Sequence, residues 1–80
     1  MMEIKVLETG CQKCKMLEKL VRKSIVDLNI DANISKVEDF KEIMQYNIMS
    51  TPALVIDEKV IFSGKLPNEK ELKNIFEKKN

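Results

Sequence analysis

The sequence predicts an α/β fold: a four-stranded mixed sheet with helices on both faces, in the order β-α-β-α-β-β-α, with residues 1–80 forming a single domain. Three observations lead there. β-rich runs alternate with stretches whose apolar residues recur every three or four positions. A helical stretch separates the first two strands, which implies a right-handed parallel crossover. Only Asp57-Glu58 separates the last two strands, so these pair as an antiparallel hairpin.

Each element has its own pattern. Ile4-Lys5-Val6-Leu7 reads as a short strand ended by Thr9-Gly10. From Cys11 to Leu28, the positions Cys14, Leu17, Leu20, Val21, Ile25 and Leu28 form one face of an amphipathic helix, which Asn29 closes. A strand follows at Ala32 to Val37, with Ala32, Ile34 and Lys36 alternating against Asn33 and Ser35. A short helix is expected from Asp39 to Tyr46, burying Phe40, Ile43 and Met44 and stopping at Asn47. Ile48 to Pro52 is a loop that must become extended before its proline. Ala53 to Ile56 and Lys59 to Phe62 form the hairpin, although Asp-Glu is a weaker turn pair than Asp-Gly. After Ser63-Gly64, Asn68 caps a last helix, Glu69 to Lys78, with Glu71 at the capping-box spacing and Leu72, Ile75 and Phe76 as its buried stripe.

Composition narrows the function classes. The chain is 44% hydrophobic and 34% charged, an ordinary globular balance. Its 14 basic and 13 acidic residues interleave to a net charge of +1, which gives no pull toward nucleic acid or membrane. No apolar stretch approaches the ~20 residues of a bilayer span, and Met1-Met2-Glu3 is not the start of a signal peptide. The expected location is therefore cytoplasmic. There, a lone cysteine pair serves catalysis or metal binding more often than stapling.

Cys11-Gln12-Lys13-Cys14 holds both cysteines of the chain, straight after the first strand. Two intervening residues put both thiols on one helical turn, so dithiol and disulfide can interconvert without large backbone movement. At the helix start, free backbone N–H groups and the helix dipole favour a thiolate at Cys11, and Lys13 and Lys15 add positive charge. Cys14 begins the apolar stripe and is expected to be the less exposed of the two. Three other uses of the pair compete. A structural zinc site wants four ligands, and the chain has neither histidine nor a third cysteine. A structural disulfide closing so small a loop would stabilise little. A soft-metal carrier could bind Cu(I) through two thiolates, but such carriers usually follow a β-α-β-β-α-β order, whereas this chain ends in a helix.

The segments Gly10-Cys11-Gln12-Lys13-Cys14-Lys15-Met16-Leu17, Ser50-Thr51-Pro52-Ala53-Leu54-Val55-Ile56 and Phe62-Ser63-Gly64-Lys65 resemble the thioredoxin-like superfamily. The resemblance is closest to the small redox-active disulfide proteins of archaea and bacteria and covers nearly the whole chain. It implies a thiol-disulfide oxidoreductase in which Cys11 attacks and Cys14 resolves. It also implies that Pro52 is cis and faces the cysteines, that Thr51, Pro52, Gly64 and Met49 bind substrate, and that Lys13 and Gly10 modulate the pair. No cofactor beyond the cysteine pair is implied. The expected partners are protein disulfides and a reductase, with the protein a monomer. A redox relay subunit docked to a larger enzyme would keep the chemistry and change the partner. Two departures matter. No tryptophan precedes Cys11, and the position six before it, where thioredoxins carry a buried acid, is Lys5, so a proton from Cys14 must go to water, Glu8 or another group. Ser50-Thr51-Pro52 and the single Gly64 also differ from the Thr-Val-Pro and Gly-Gly of glutaredoxins, which favours a protein disulfide over glutathione.

Overall fold

The computed structural model describes residues 1–79, and the elements run β1 (Met2–Leu7), α1 (Gln12–Asp27), β2 (Ala32–Val37), α2 (Phe40–Met44), β3 (Ala53–Ile56), β4 (Lys59–Ser63) and α3 (Glu69–Lys79). The sheet order is β2-β1-β3-β4. β1 and β2 are parallel, and β3 runs antiparallel to both β1 and β4, with an irregularity between Leu54 and Val55. Among the described residues no helix is long and apolar enough to cross a membrane.

Strand alternation sorts side chains to two faces. Ile4, Val6, Leu54 and Ile56 meet Leu17, Val21 and Ile25 of α1 and Leu72 and Phe76 of α3 in one core. Leu7, Val37, Ala53 and Val55 meet Ile43 of α2 in a smaller one. β1 starts two residues before the expected strand because Met2 pairs with Ala32 and donates its N–H to Asp31 at 3.0 Å. In β2, Lys36 is exposed and reaches toward Glu18 at 3.9 Å, so the apolar alternation stops at Ile34.

The ends of the elements follow local chemistry. Asn29 takes a left-handed φ of 54°, and Ile30 N–H then bonds back to Ile25 C=O at 3.1 Å, while Asn29 N–H bonds to Val26 C=O at 3.1 Å. This is a Schellman closure of α1. At the start of α3, Glu71 N–H donates to Asn68 Oδ1 at 2.8 Å, and Asn68 N–H donates to Glu71 Oε1 at 3.2 Å, a reciprocal capping box. The β3–β4 turn works despite its weak residue pair. Asp57 and Glu58 both have positive φ, 49° and 68°, and each is tied to β1. Asp57 accepts from Glu3 N–H at 3.0 Å, and Glu58 pairs with Lys5 at 2.6 Å.

The second helix departs from expectation. It is one turn long, with Asp39 as its N-cap accepting from Lys41 N–H at 3.1 Å, and only Ile43 is buried. Phe40 is 68% exposed and Met44 57%. At ~100° per residue these two lie within about 40° of each other, while Ile43 lies about 60° to the far side of Phe40 and about 100° from Met44. A single turn can press only one of its apolar directions onto the sheet. Tight turns through Gln45 and Tyr46 and a positive φ at Asn47 then end it.

Candidate active site

β1 delivers Glu8, Thr9 and Gly10 to the head of α1. Gly10 turns the chain with φ 87°, and a Cβ there would meet nothing within 4 Å, so the backbone angle and not crowding calls for glycine. Cys11 is the N-cap of α1, in an extended conformation, and its Sγ accepts the Cys14 N–H at 3.1 Å. The two cysteines are joined as a disulfide with Cα atoms 5.0 Å apart. Cys11 is exposed and Cys14 has no exposed surface. The first turn of α1 carries no acidic residue, while Lys13 and Lys15 stand exposed on it.

A second loop joins this one. Thr51 Oγ1 lies 3.2 Å from Thr9 Oγ1, a side-chain hydrogen bond between the segment before the cysteines and the segment before Pro52. The Thr51–Pro52 bond is cis, and Pro52 is fully buried. The Pro52 carbonyl accepts the Gly64 N–H at 2.8 Å. Gly64 has φ 72°, and a Cβ there would overlap the Ser50 side chain, with Ser50 Cβ 3.2 Å away. Thr51, Pro52 and Gly64 are thus one bonded unit, linked through Thr9 to the cysteine loop. Met49 stands 97% exposed beside it.

Two ionisable groups on β1 and just after it diverge. Lys5 points toward the α2 side, where its Nζ donates to Glu58 at 2.6 Å and to the Tyr46 hydroxyl at 3.0 Å. The Glu58 and Tyr46 bonds hold its ammonium well above the usual lysine range. Glu8 is 2% exposed, and its Oε2 has no hydrogen-bond partner. Burial pushes its carboxyl up, Glu18 and Glu38 push the same way, and Lys36 opposes them. Glu8 is the only buried carboxylate among the described residues.

An open groove of about 300 Å³ begins at Thr9 and Thr51 and runs between Ile48, Met49, Phe40 and Met44. Sequence reasoning placed Phe40 and Met44 in the core and passed over Thr9. The signal that was present is the shortness of the run between Asp39 and Asn47, too short for a helix to bury two faces. Among the described residues no group of three or more His, Cys, Asp or Glu side chains is arranged to hold a metal ion.

The chain matches the family described as "Thioredoxin domain" over residues 2–77. It is 33% identical over 76 residues to a thioredoxin of Methanothermobacter thermautotrophicus, covering 95% of this chain and 99% of that one. It is 38% identical over 73 residues to a thioredoxin of Methanocaldococcus jannaschii, covering 91% and 84%. Among solved structures, the thioredoxin Deadhead of Drosophila melanogaster superposes with a TM-score of 0.70 at 22% identity, over 96% of this chain and 79% of that one. Thioredoxin 1 of Thermosipho africanus gives 0.68 at 20% identity, over 96% and 92%. These two likenesses show the fold; the two archaeal relatives, with the paired Cys11 and Cys14 at the helix head, show the chemistry. The chain belongs to the thioredoxin-domain family and is a thiol-disulfide oxidoreductase.

Proposed function

We propose that the protein reduces disulfides in other proteins, with Cys11 as the attacking thiol and Cys14 as the resolving one. The observation that carries this assignment is the asymmetry of the pair: Cys11 is exposed at the helix N-cap, and Cys14 is sealed beneath it. In the reduced protein the N-terminal N–H groups of α1 favour a Cys11 thiolate. That thiolate attacks one sulfur of the substrate disulfide, and the other leaves as a thiolate. Cys14 then gives up its proton and attacks Cys11 Sγ, which breaks the mixed disulfide, releases the second substrate thiolate and closes Cys11–Cys14. Two electrons have passed to the substrate. A separate reductase returns them.

The Cys14 proton goes to Glu8 in this reading, which is supported by its burial, its unpartnered Oε2 and a segment that leads straight into the cysteine loop. Thr51 supplies backbone N–H and C=O to an extended substrate segment. Pro52 backs that segment, Gly64 keeps the loop close, and Met49 gives it an apolar edge. Lys13 and Gly10 modulate the pair, the first by charge and the second by the turn before Cys11. The protein needs no cofactor beyond its cysteines, and acts as a cytoplasmic monomer. Replacing Cys14 with Ser tests the scheme. Cys11 should still form mixed disulfides, which now persist and accumulate on a non-reducing gel. Alkylation of the reduced protein should modify Cys11 before Cys14; the reverse order would exchange the two roles.

A further inference from the structure

The ladder between β1 and β3 stops short of the cysteines, and a pair of hydroxyls takes over there. Antiparallel pairing runs from Ile4–Ile56 to Leu7–Ala53. One step further, Glu8 would face Pro52, which has no N–H to give, and Glu8 N–H already bonds to Val37 C=O of β2 at 3.0 Å. Two steps further, the same register sets Thr9 opposite Thr51. Their Oγ1 atoms lie 3.2 Å apart, so side chains join the two segments where the backbone ladder has ended.

The position of this pair gives it a use. Only Gly10 separates Thr9 from Cys11, and Thr51 directly precedes Pro52. The attacking sulfur and the Thr51 backbone therefore sit on two loops that the hydroxyl bond ties together. Other contacts hold the Pro52 loop from its far side: Gly64 N–H donates to Pro52 C=O at 2.8 Å, and the Ser50 side chain lies over Gly64. Those contacts fix the loop to the end of β4 and not to the cysteines. Gly10 adds no contact of its own, since the space around it is open. Threonine is β-branched and stiff at χ1, so a bond between two threonine hydroxyls restrains both backbones closely. Thr9 is exposed and Thr51 only partly covered, which keeps the bond modest. A cross-strand pair of this strength tunes a rate and does not carry it.

We infer that Thr9 is a positioning residue for the reduction of protein disulfides: its hydroxyl holds the Thr51 loop where a substrate segment joined to Cys11 meets the Thr51 N–H and C=O. The inference rests on the reading that Thr51 pairs with the substrate backbone, and it adds the group that sets that pairing. Thr9 then matters for a polypeptide, and far less for a disulfide too small to reach Thr51.

Single-turnover rates of the pre-reduced protein test it. The first probe is a short peptide whose single cysteine is a mixed disulfide with thionitrobenzoate, which leaves as a coloured thiolate when Cys11 attacks the peptide sulfur. The second is the same peptide N-methylated on both sides of its cysteine. The third is the symmetrical disulfide of thionitrobenzoate, which has no backbone. Wild type should favour the plain peptide over the methylated one by roughly two- to tenfold, the range of one neutral hydrogen bond. In Thr9→Val, which keeps the branched shape, the ratio of the plain-peptide rate to the small-disulfide rate should fall roughly two- to fivefold. That ratio cancels changes in the Cys11 thiolate itself. Thr9→Ser restores the hydroxyl and should recover most of the wild-type ratio. Thr51→Val should show the same loss, and Thr9→Val/Thr51→Val no more than either alone. An unchanged ratio in Thr9→Val overturns the inference, as does a loss that Thr9→Ser fails to recover or two losses that add in the double variant. A wild type indifferent to N-methylation removes the backbone pairing at Thr51, and the inference with it. A wild type that responds to N-methylation while Thr9→Val keeps its ratio removes the inference alone.

Discussion

On one face of the sheet, α1 and α3 close over Ile4, Val6, Leu54 and Ile56, and Phe76, Leu17 and Leu72 are sealed among them without exposed surface. On the other, one helical turn contributes only Ile43 to cover Leu7, Ala53 and Val55, and leaves Phe40 and Met44 in solvent. Both faces border the same central strands. The fuller face is where apolar burial stabilises the fold; the sparse face keeps apolar surface uncovered beside the cysteine loop. An 80-residue domain buries proportionately little surface, and concentrating its core on one side leaves Phe40 and Met44 uncovered on the other.

The largest expected effect breaks the fuller face. Phe76→Ala removes a fully buried ring and should cost about 3–5 kcal/mol, much of the ~5–15 kcal/mol that holds a domain together. Ile43→Ala should cost closer to 2 kcal/mol, the low end for a buried aliphatic truncation, because a one-turn helix can settle into the space. Urea midpoints of the two variants check the comparison. Equal losses would mean that the two faces support the fold alike.

The difference between the faces also marks what the sequence could disclose. The fuller face was legible because α1 repeats its apolar positions over four turns and α3 carries a capping box, so that Asn68, Leu72 and Phe76 stand where spacing puts them. β2 and the β3 strand were read with their observed bounds. The site was legible where chemistry is unusual: Cys11 and Cys14 are the chain's two cysteines, and Thr51-Pro52 precedes a strand. The sparse face was not. Phe40 and Met44 look like core residues, since periodicity reports which residues share a side and not whether anything covers that side. Thr9 also escaped, because its partner Thr51 lies 42 residues away and only the fold brings them together.

Next in size is a comparison of the two glycines beside the cysteines. Both have positive φ, so alanine at either carries a left-handed backbone penalty of roughly 1–2 kcal/mol. Around Gly10 there is open space, whereas a Cβ on Gly64 runs into Ser50. Gly64→Ala should therefore be the more destabilising, and should also slow reduction of peptide disulfides by displacing Ser50 and Thr51. Gly10→Ala should change stability with less effect on the Thr51 loop. Matched denaturation and peptide-reduction assays on both variants decide this. A Gly10→Ala loss as large as that of Gly64→Ala in both assays would show that the Ser50 contact contributes nothing.

The smallest expected effect appears as a pH dependence, and here the fuller face contains one discordant group. Lys23 and Lys73 bracket Asp27 and Glu69 between α1 and α3, at 2.7 and 3.1 Å for Lys23 and 3.0 Å for both Lys73 pairs. These bonds lower both carboxyls below their ordinary values of 3.8 and 4.5. Their stabilisation is thus present above those values and is lost as the pH falls through the lowered ones. Glu8 is shifted the other way, with burial as the main cause. The folded protein binds the Glu8 proton more tightly than the unfolded chain, so stability falls as pH rises from 4.5 through the raised value, and stays lower at neutral pH. Glu8→Gln should flatten that slope and make the protein more stable at neutral pH, with little change near pH 4. The exposed ion pairs fade in 1 M salt, where the Debye length is about 3 Å, so the effect of Asp27→Asn should vanish there while that of Glu8→Gln persists. Denaturation from pH 4 to 8 at two salt concentrations separates them. If Glu8 takes the Cys14 proton as proposed, the same Glu8→Gln protein should resolve mixed disulfides more slowly. Stability gained and rate lost together would mark Glu8 as a group kept for the chemistry at the expense of the fold. A Glu8→Gln protein less stable than the parent at neutral pH would mean that the carboxylate is satisfied in solution, and would remove it from the proton path.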